Sequence, residues 1–299
     1  MGNTNLHNAK QAKNDEFYTR LEDIEKEVKH YRQHFNGKVV YCNCDDSKKS
    51  NFFKYFALNF ERLGLKKLIA TGYNKGGHGS VFIYNGDKNG NRLPDDEEIT
   101  NQTLNGDGDF RSPECVEFLK EADIVVSNPP FSLFREYIAQ LMEYGKMFLV
   151  IGSKNAITYK EVFPLIKENK MWLGVTSPDE FYIPDGSLTK KVTGLCRWFT
   201  NLEHNKRHER LELYKRYSIE YYPKYENYEA IEVSKTCEIP MDYDGVMGVP
   251  ISFLDKYNPE QFEIVGIDRY VKDNPNYGHR FHLNGREVYA RILIRHKDF

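Results

Sequence analysis

No stretch of this 299-residue chain approaches the roughly 20 consecutive apolar residues that a membrane-spanning helix needs, so no bilayer span is expected. The start, MGNTNLHNAKQAKNDEF, has no apolar core of the signal-peptide kind, and Leu6 stands where a myristoylation pattern wants Ser or Thr. Charge of one sign is not in excess either. A formal net charge of −2 excludes a histone-like binder while leaving room for a local basic face. The five cysteines (Cys42, Cys44, Cys115, Cys196, Cys237) are odd in number and form no CxxC pair, which argues against a disulfide framework and a zinc ribbon. The nine histidines show no zinc-ligand spacing, so no metal is expected. Internal repeats, low-complexity tracts and the dinucleotide fingerprint GxGxxG are all missing. A cytoplasmic enzyme without membrane contact fits these absences.

What is present is an alternation of apolar strands and amphipathic helices. Leu21, Ile24, Val28, Tyr31 and Phe35 recur at spacings of three and four, which predicts one helix ended by Asn36-Gly37. KVVYCNC reads as a first strand, KKSNFFKYFALNFERLGL as a helix stopped by Gly64, and KKLIATGY as a second strand. Residues 74–108 are rich in Gly and Asn and read as an insertion, with a hairpin in SVFIYNGDKNGNRL tipped by Asn-Gly. ADIVVSN, KMFLVIGS and KMWLGV are further strands, separated by the helices LFREYIAQLMEYG and YKEVFPLIKEN. Such alternation predicts the α/β class, a doubly wound Rossmann-like sheet. Past Val175 the rhythm changes: GLCRWFTNL looks antiparallel, and short strands and turns follow. Residues 1–200 are therefore expected to form a catalytic domain, with 201–299 as a small recognition region.

The stretch SNPPFSLFR sharpens the reading. Ile124-Val125-Val126 suits a strand buried on both faces. Pro129 and Pro130 then end it, because they fix φ and offer no N–H to a ladder. The resulting rigid turn presents Asn128, the prolyl carbonyls and Phe131 at the sheet's carboxyl edge, where open α/β folds bind ligands. A plain strand terminator is the alternative for an isolated Pro-Pro pair.

At the first strand's end, VVYCNCDDSKKSNFF places Asp45 and Asp46 where a pyrophosphate would be repelled and a cationic amino-acid head, such as that of S-adenosyl-L-methionine, attracted. Asp45, Asp46 or Ser47 could equally cap the helix that follows. In NGDGDFRSPECVEFL, Gly106 and Gly108 permit a tight turn, Asp107 or Asp109 can accept from an adenine amino group, and Phe110 can stack on the ring.

The order VVYCNCDD, GDGDF, NPPF resembles that of the amino-methylating DNA methyltransferases. More closely, DEFYTRLEDIE, SNFFKYFALNF, GDGDFRS, DIVVSNPPFSLFREY, YPKYENYEAIEV and DYDGVMGVPISFL are similar to the EcoRI-type adenine methyltransferase family, from about Asp15 to Leu254. The resemblance implies transfer of a methyl group from S-adenosyl-L-methionine to the 6-amino group of a flipped adenine in double-stranded DNA. It implies a catalytic strap of Asn128, Pro129, Pro130 and Phe131. A cofactor pocket would use Phe17, Tyr18 and Thr19, the first-strand loop with Asn43, Asp45 and Asp46, and Asp109-Phe110. The second strand, LIATGY, departs from the wider superfamily in lacking the acid that commonly grips the ribose. A GAATTC-like target, a companion restriction endonuclease and a monomeric enzyme are further expectations of the resemblance.

DNA contacts are expected from the basic run at Lys206, Arg207, Arg210, Lys215 and Arg216, from Lys75, Lys88 and Arg92 of the insertion, and from Lys10 and Lys13. Two other readings remain open at this point. One is an amino-methyltransferase acting on cytosine, RNA or a protein amide; the other is a catalytically silent DNA-binding module.

Overall fold

Val39–Cys42 (β1) and Ile124–Ser127 (β5) lie side by side as parallel strands, and every residue of both is buried. Their unalternating apolar character follows from cover on both faces. The computed structural model describes residues 18–44, 50–182, 187–189, 194–271 and 280–297; Phe17, Asp45 and Asp46 fall outside them. The described residues group into two compact units, one within Met1–Lys154 and Gly174–Leu202, the other within Asn155–Leu173 and Glu203–Phe299.

In the first unit β1 and β5 are joined by Lys67–Gly72 (β2), Ser80–Tyr84 (β3), Ile99–Thr103 (β4), Met147–Ser153 (β6) and Cys196–Thr200 (β7). The strand order is β4-β3-β2-β1-β5-β6-β7. The four central strands β2-β1-β5-β6 are parallel, whereas β3, β4 and β7 pair antiparallel, so the sheet is mixed.

Two helical expectations change in detail. The stripe Ile24, Val28, Tyr31 and Phe35 is fully buried, but its helix is Leu21–Val28 (α1), a 3-10 turn Lys29–Tyr31 and a last turn Arg32–Phe35. The second helix, Asn51–Leu58 (α2), is capped by Ser50, whose hydroxyl accepts from the Phe52 and Phe53 N–H groups. Capping therefore falls to Ser50 rather than to Asp45, Asp46 or Ser47. A short turn, Phe60–Leu63, continues to Gly64, whose φ of +65° ends it as expected.

β3 and β4 do form a hairpin, yet not through a two-residue Asn-Gly tip. Asp87 accepts from the Asn89, Gly90 and Arg92 N–H groups, and Glu98 accepts from those of Lys88 and Asn89, so two carboxylates organise a long loop. Buried Glu27 plays a comparable part for α1. It accepts from Tyr31 Oη at 2.7 Å and from the Val175 and Thr176 N–H groups at 2.7 and 2.6 Å. Residue 174 must be glycine there, since a Cβ would sit 2.3 Å from Glu27 Oε1.

The second unit has its own sheet of Ile231–Glu232 (β8), Met247–Pro250 (β9), Phe262–Ile267 (β10) and Arg291–His296 (β11), in the order β8-β9-β11-β10. Buried Glu232 anchors it: Arg291 Nη2 donates to Oε1 at 2.6 Å, and the Tyr225 hydroxyl donates to the other oxygen. Satisfying both partners offsets the cost of burying the charges. Arg207 departs from its expected place on a phosphate-binding face. It is buried, donates to Glu203 and Asn169 at 2.5 and 2.7 Å, and stacks 3.7 Å over the Trp172 ring.

Candidate active site

The chain leaves β1 for β2 on one side of the sheet and returns later to β5 on the other. That reversal is a switch point, and the position outside the carboxyl ends of β1 and β5 is where open α/β sheets usually take their ligands. Asn43 follows β1 directly and Asn128 follows β5, so sequence position alone brings both to this edge. The Ser127 hydroxyl donates to the Asn43 carbonyl, which ties the two strand ends together.

Beyond Ser127 the strap keeps its rigidity. Asn128 and Pro129 are buried, and Pro130 is extended at φ −55°, ψ 126°. A 3-10 turn, Phe131–Leu133, then leads into Phe134–Glu143 (α3). The Pro130 carbonyl belongs to that turn, accepting the Leu133 N–H at 3.0 Å. Phe131 is half-buried and packs against the main core.

The GDGDF loop is stitched to the carboxyl end of β2. Asn74 N donates to the Asp107 carbonyl and Gly79 N to the Gly106 carbonyl, each at 2.8 Å. Gly108 has φ +84°, and a Cβ on it would meet the Gly72 carbonyl oxygen at 2.3 Å, so two constraints demand glycine. Asp109 is engaged by a residue that pattern reading passed over. Arg111 Nε and Nη2 donate to its two carboxylate oxygens at 2.9 and 2.7 Å, and the Arg111 guanidinium holds its pKa below the ordinary aspartate value. Arg111 Nη1 also donates to Glu136 at 2.8 Å. An Arg two positions after the last Asp in GDGDFR is the available signal. Phe110 is buried, its ring meeting Tyr137 edge-on at 5.1 Å, so its expected stacking surface is largely occupied by protein.

Tyr18–Thr19 pairs antiparallel with Phe181–Tyr182. The Thr19 carbonyl accepts from Asn51 Nδ2 at 2.8 Å, which fixes this segment at the start of α2. Thr19 is buried, and its hydroxyl has no hydrogen-bond partner among the described residues. An orphaned buried hydroxyl at the start of α2 fits a polar ligand there. The structure thus brings Asn43, Phe110 and the Asn128 strap together around α3 and holds Thr19 at α2, while Asp109 turns to Arg111. Ser127, Tyr137 and Arg111 are the connecting residues that spacing does not single out.

Among the described residues no cluster of His, Cys, Asp and Glu could hold a metal ion, and no helix is long and apolar enough to cross a membrane.

A mixed α/β sheet with an Asn-Pro-Pro-Phe strap at its switch point is consistent with a methyltransferase. The family model for the adenine-specific methyltransferase EcoRI matches residues 5–297, and the chain belongs to that family of adenine-specific DNA methyltransferases. It is 50% identical to the type II methyltransferase M.EcoRI of Escherichia coli, over 98% of this chain and 96% of that one. Two mycoplasma proteins are similar along their length: M.MpnI of Mycoplasma pneumoniae at 39% identity, covering 98% of both chains, and M.MgeORF184P of Mycoplasma genitalium at 38%, covering 97% and 98%. No solved structure gives a significant match.

Proposed function

We propose that the enzyme methylates the exocyclic 6-amino group of an adenine flipped out of double-stranded DNA, with S-adenosyl-L-methionine as donor. The observation that carries this reading is the position of Asn128-Pro129-Pro130-Phe131 at the switch point, tied through Ser127 to Asn43. Adenine's amino nitrogen is a weak nucleophile because its lone pair is delocalised into the ring. Acceptors that draw its hydrogens out of the ring plane let it become tetrahedral as the new bond forms. Asn128 Oδ1 accepts one hydrogen, and the Pro129 carbonyl accepts the other, since the turn already uses the Pro130 carbonyl. Phe131 offers its outer face to the base. The base must first leave the duplex, where its amino group is paired.

The chain's polar groups suit the donor's two ends. Thr19, Asn43, Asp45 and Asp46, with Phe17 and Tyr18, would hold the amino-acid head, while Asp109 and Phe110 sit on the loop assigned to the adenosine. When bound, the donor supplies an electrophilic methyl group on a sulfonium sulfur. Restriction-modification protection of a GAATTC-like site, paired with a companion nuclease, is the biological reading the family suggests. Expression in a methylation-free host, followed by modification-detecting sequencing of its DNA, tests the reaction and the target together. N6-methyladenine confined to one short sequence is expected; N4-methylcytosine, or unmodified DNA from active protein, would overturn the proposal.

A further inference from the structure

We propose that Tyr137 is a positioning residue whose hydroxyl sets the spacing between Asn43, at the end of β1, and the Asn128 strap. It lies on α3, nine positions after Asn128, and is completely buried. Its hydroxyl donates to Asn43 Oδ1, while the Ser127 hydroxyl donates to the Asn43 carbonyl. Asn43 is therefore gripped at side chain and main chain by two groups that flank the strap. The same ring packs edge-on against Phe110 at 5.1 Å, and Gln140 of α3 donates to the Phe110 carbonyl at 3.2 Å. One helix thus holds Asn43 and the GDGDF loop against the residues that receive the base.

The chemistry of the contact makes it directional. Burial drives the Tyr137 pKa well above its ordinary value, so the phenol stays a neutral donor across the working range. It donates to the amide oxygen, an arrangement that orients the Asn43 side chain and leaves the amide NH2 group, a double donor, as the end that can meet an acceptor on a ligand. A carboxylate is such an acceptor. Removing the hydroxyl lets the amide turn over and releases the constraint on Asn43 while the ring still fills its space.

This inference rests on the methyl-transfer reading, and the test separates the two. Single-turnover methylation, steady-state kcat and KM for duplex DNA, and calorimetric S-adenosylmethionine binding would be measured on Tyr137→Phe, Asn43→Ala, the double variant and Asn128→Ala. Tyr137→Phe should lower kcat at least about tenfold, weaken the cofactor several-fold and leave the DNA KM within about twofold. The double variant should be no worse than Asn43→Ala, because the hydroxyl acts through Asn43. Purely structural damage would instead reduce the folded fraction, read by circular dichroism, without changing kcat per folded molecule, and the two losses would multiply; that result overturns the proposal. Wild-type turnover by Tyr137→Phe alongside an inactive Asn128→Ala overturns it while sparing the methyl-transfer reading. Activity in Asn128→Ala removes that reading itself. Should Tyr137→Phe fail to fold, Ser127→Ala, which cuts the other tie to Asn43, is expected to give the same split, and wild-type kinetics there would sink the idea.

Discussion

Gly108 approaches Gly72 so closely that a single added carbon would overlap the Gly72 carbonyl oxygen. The contact sets the GDGDF loop onto the end of β2, and the positive φ at Gly108 means that relaxation cannot come from a simple backbone shift. Gly108→Ala should therefore destabilise the protein by more than about 1 kcal/mol. It should also weaken adenosine binding, because the loop that carries Asp109 and Phe110 moves. Thermal denaturation and calorimetry check both; a variant with wild-type melting temperature and affinity would show that this seating does not matter.

Phe131 is half-buried on a rigid turn, which suits a platform more than a proton acceptor. Phe131→Ala should lower the methylation rate less than Asn128→Ala does, and Phe131→Trp should stay active. With 2-aminopurine at the target position, the wild type should produce a fluorescence change on base flipping that Phe131→Ala alters. Identical responses would remove the stacking role.

Asp45 and Asp109 are assigned to opposite ends of the donor. Asp45 would pair directly with the donor's ammonium, whereas both Asp109 carboxylate oxygens are already bound by Arg111, so Asp45→Asn should weaken S-adenosylmethionine binding more than Asp109→Asn. Adenosine alone should respond only to Asp109→Asn. Because Arg111 depresses the Asp109 pKa, its charge and the Arg111 pair persist above the ordinary aspartate range and are lost as pH falls through the lowered value. Adenosine affinity should accordingly stay level from neutral pH down through mild acid and fall only below about pH 4. A reversed ranking by calorimetry would mean that the pocket runs the other way.

In the second unit, burial pushes the Asp268 carboxyl from 3.8 up to about 6 against the opposing charges of Arg269 and Arg280. A carboxyl raised on folding is best tolerated when protonated. Its contribution is fully present below the unfolded value and is lost as pH rises through the folded one, here between about 4 and 6. Asp268→Asn cannot ionise, so its stability relative to wild type should rise across that window by up to about 3 kcal/mol. Urea denaturation at a series of pH values measures this difference, and a constant offset would contradict it.

The central strands and the strap were legible because both signals are local. Ile124-Val125-Val126 announces a doubly covered strand, and two prolines announce where it stops. Other features depend on partners distant in sequence. Nothing in the helical stripe around Glu27 reveals that its carboxylate will receive N–H groups from residues 175 and 176. Whether Arg207 meets phosphate or only solvent is the choice its basic run poses, and neither holds, because Trp172 and Asn169 draw it inside. The 3-10 turn in the first helix leaves no mark in the pattern, because Tyr31 and Phe35 stay on the buried stripe through the break. Nothing local marks out Tyr137 of α3, since its hydrogen bond reaches a residue 94 positions away. The hairpin loop turned on Asp87 and Glu98, whose backbone contacts are invisible in an Asn-Gly count.

The central claim is that Asn128 receives the target amine and does not serve the donor. Its most direct test is single-turnover transfer of labelled methyl groups to duplex DNA by Asn128→Ala, with S-adenosylmethionine affinity measured on the same preparation. The account predicts no detectable methylated adenine and a dissociation constant within several-fold of wild type. Transfer faster than about a tenth of the normal rate, a barrier change of less than about 1.4 kcal/mol, would contradict it.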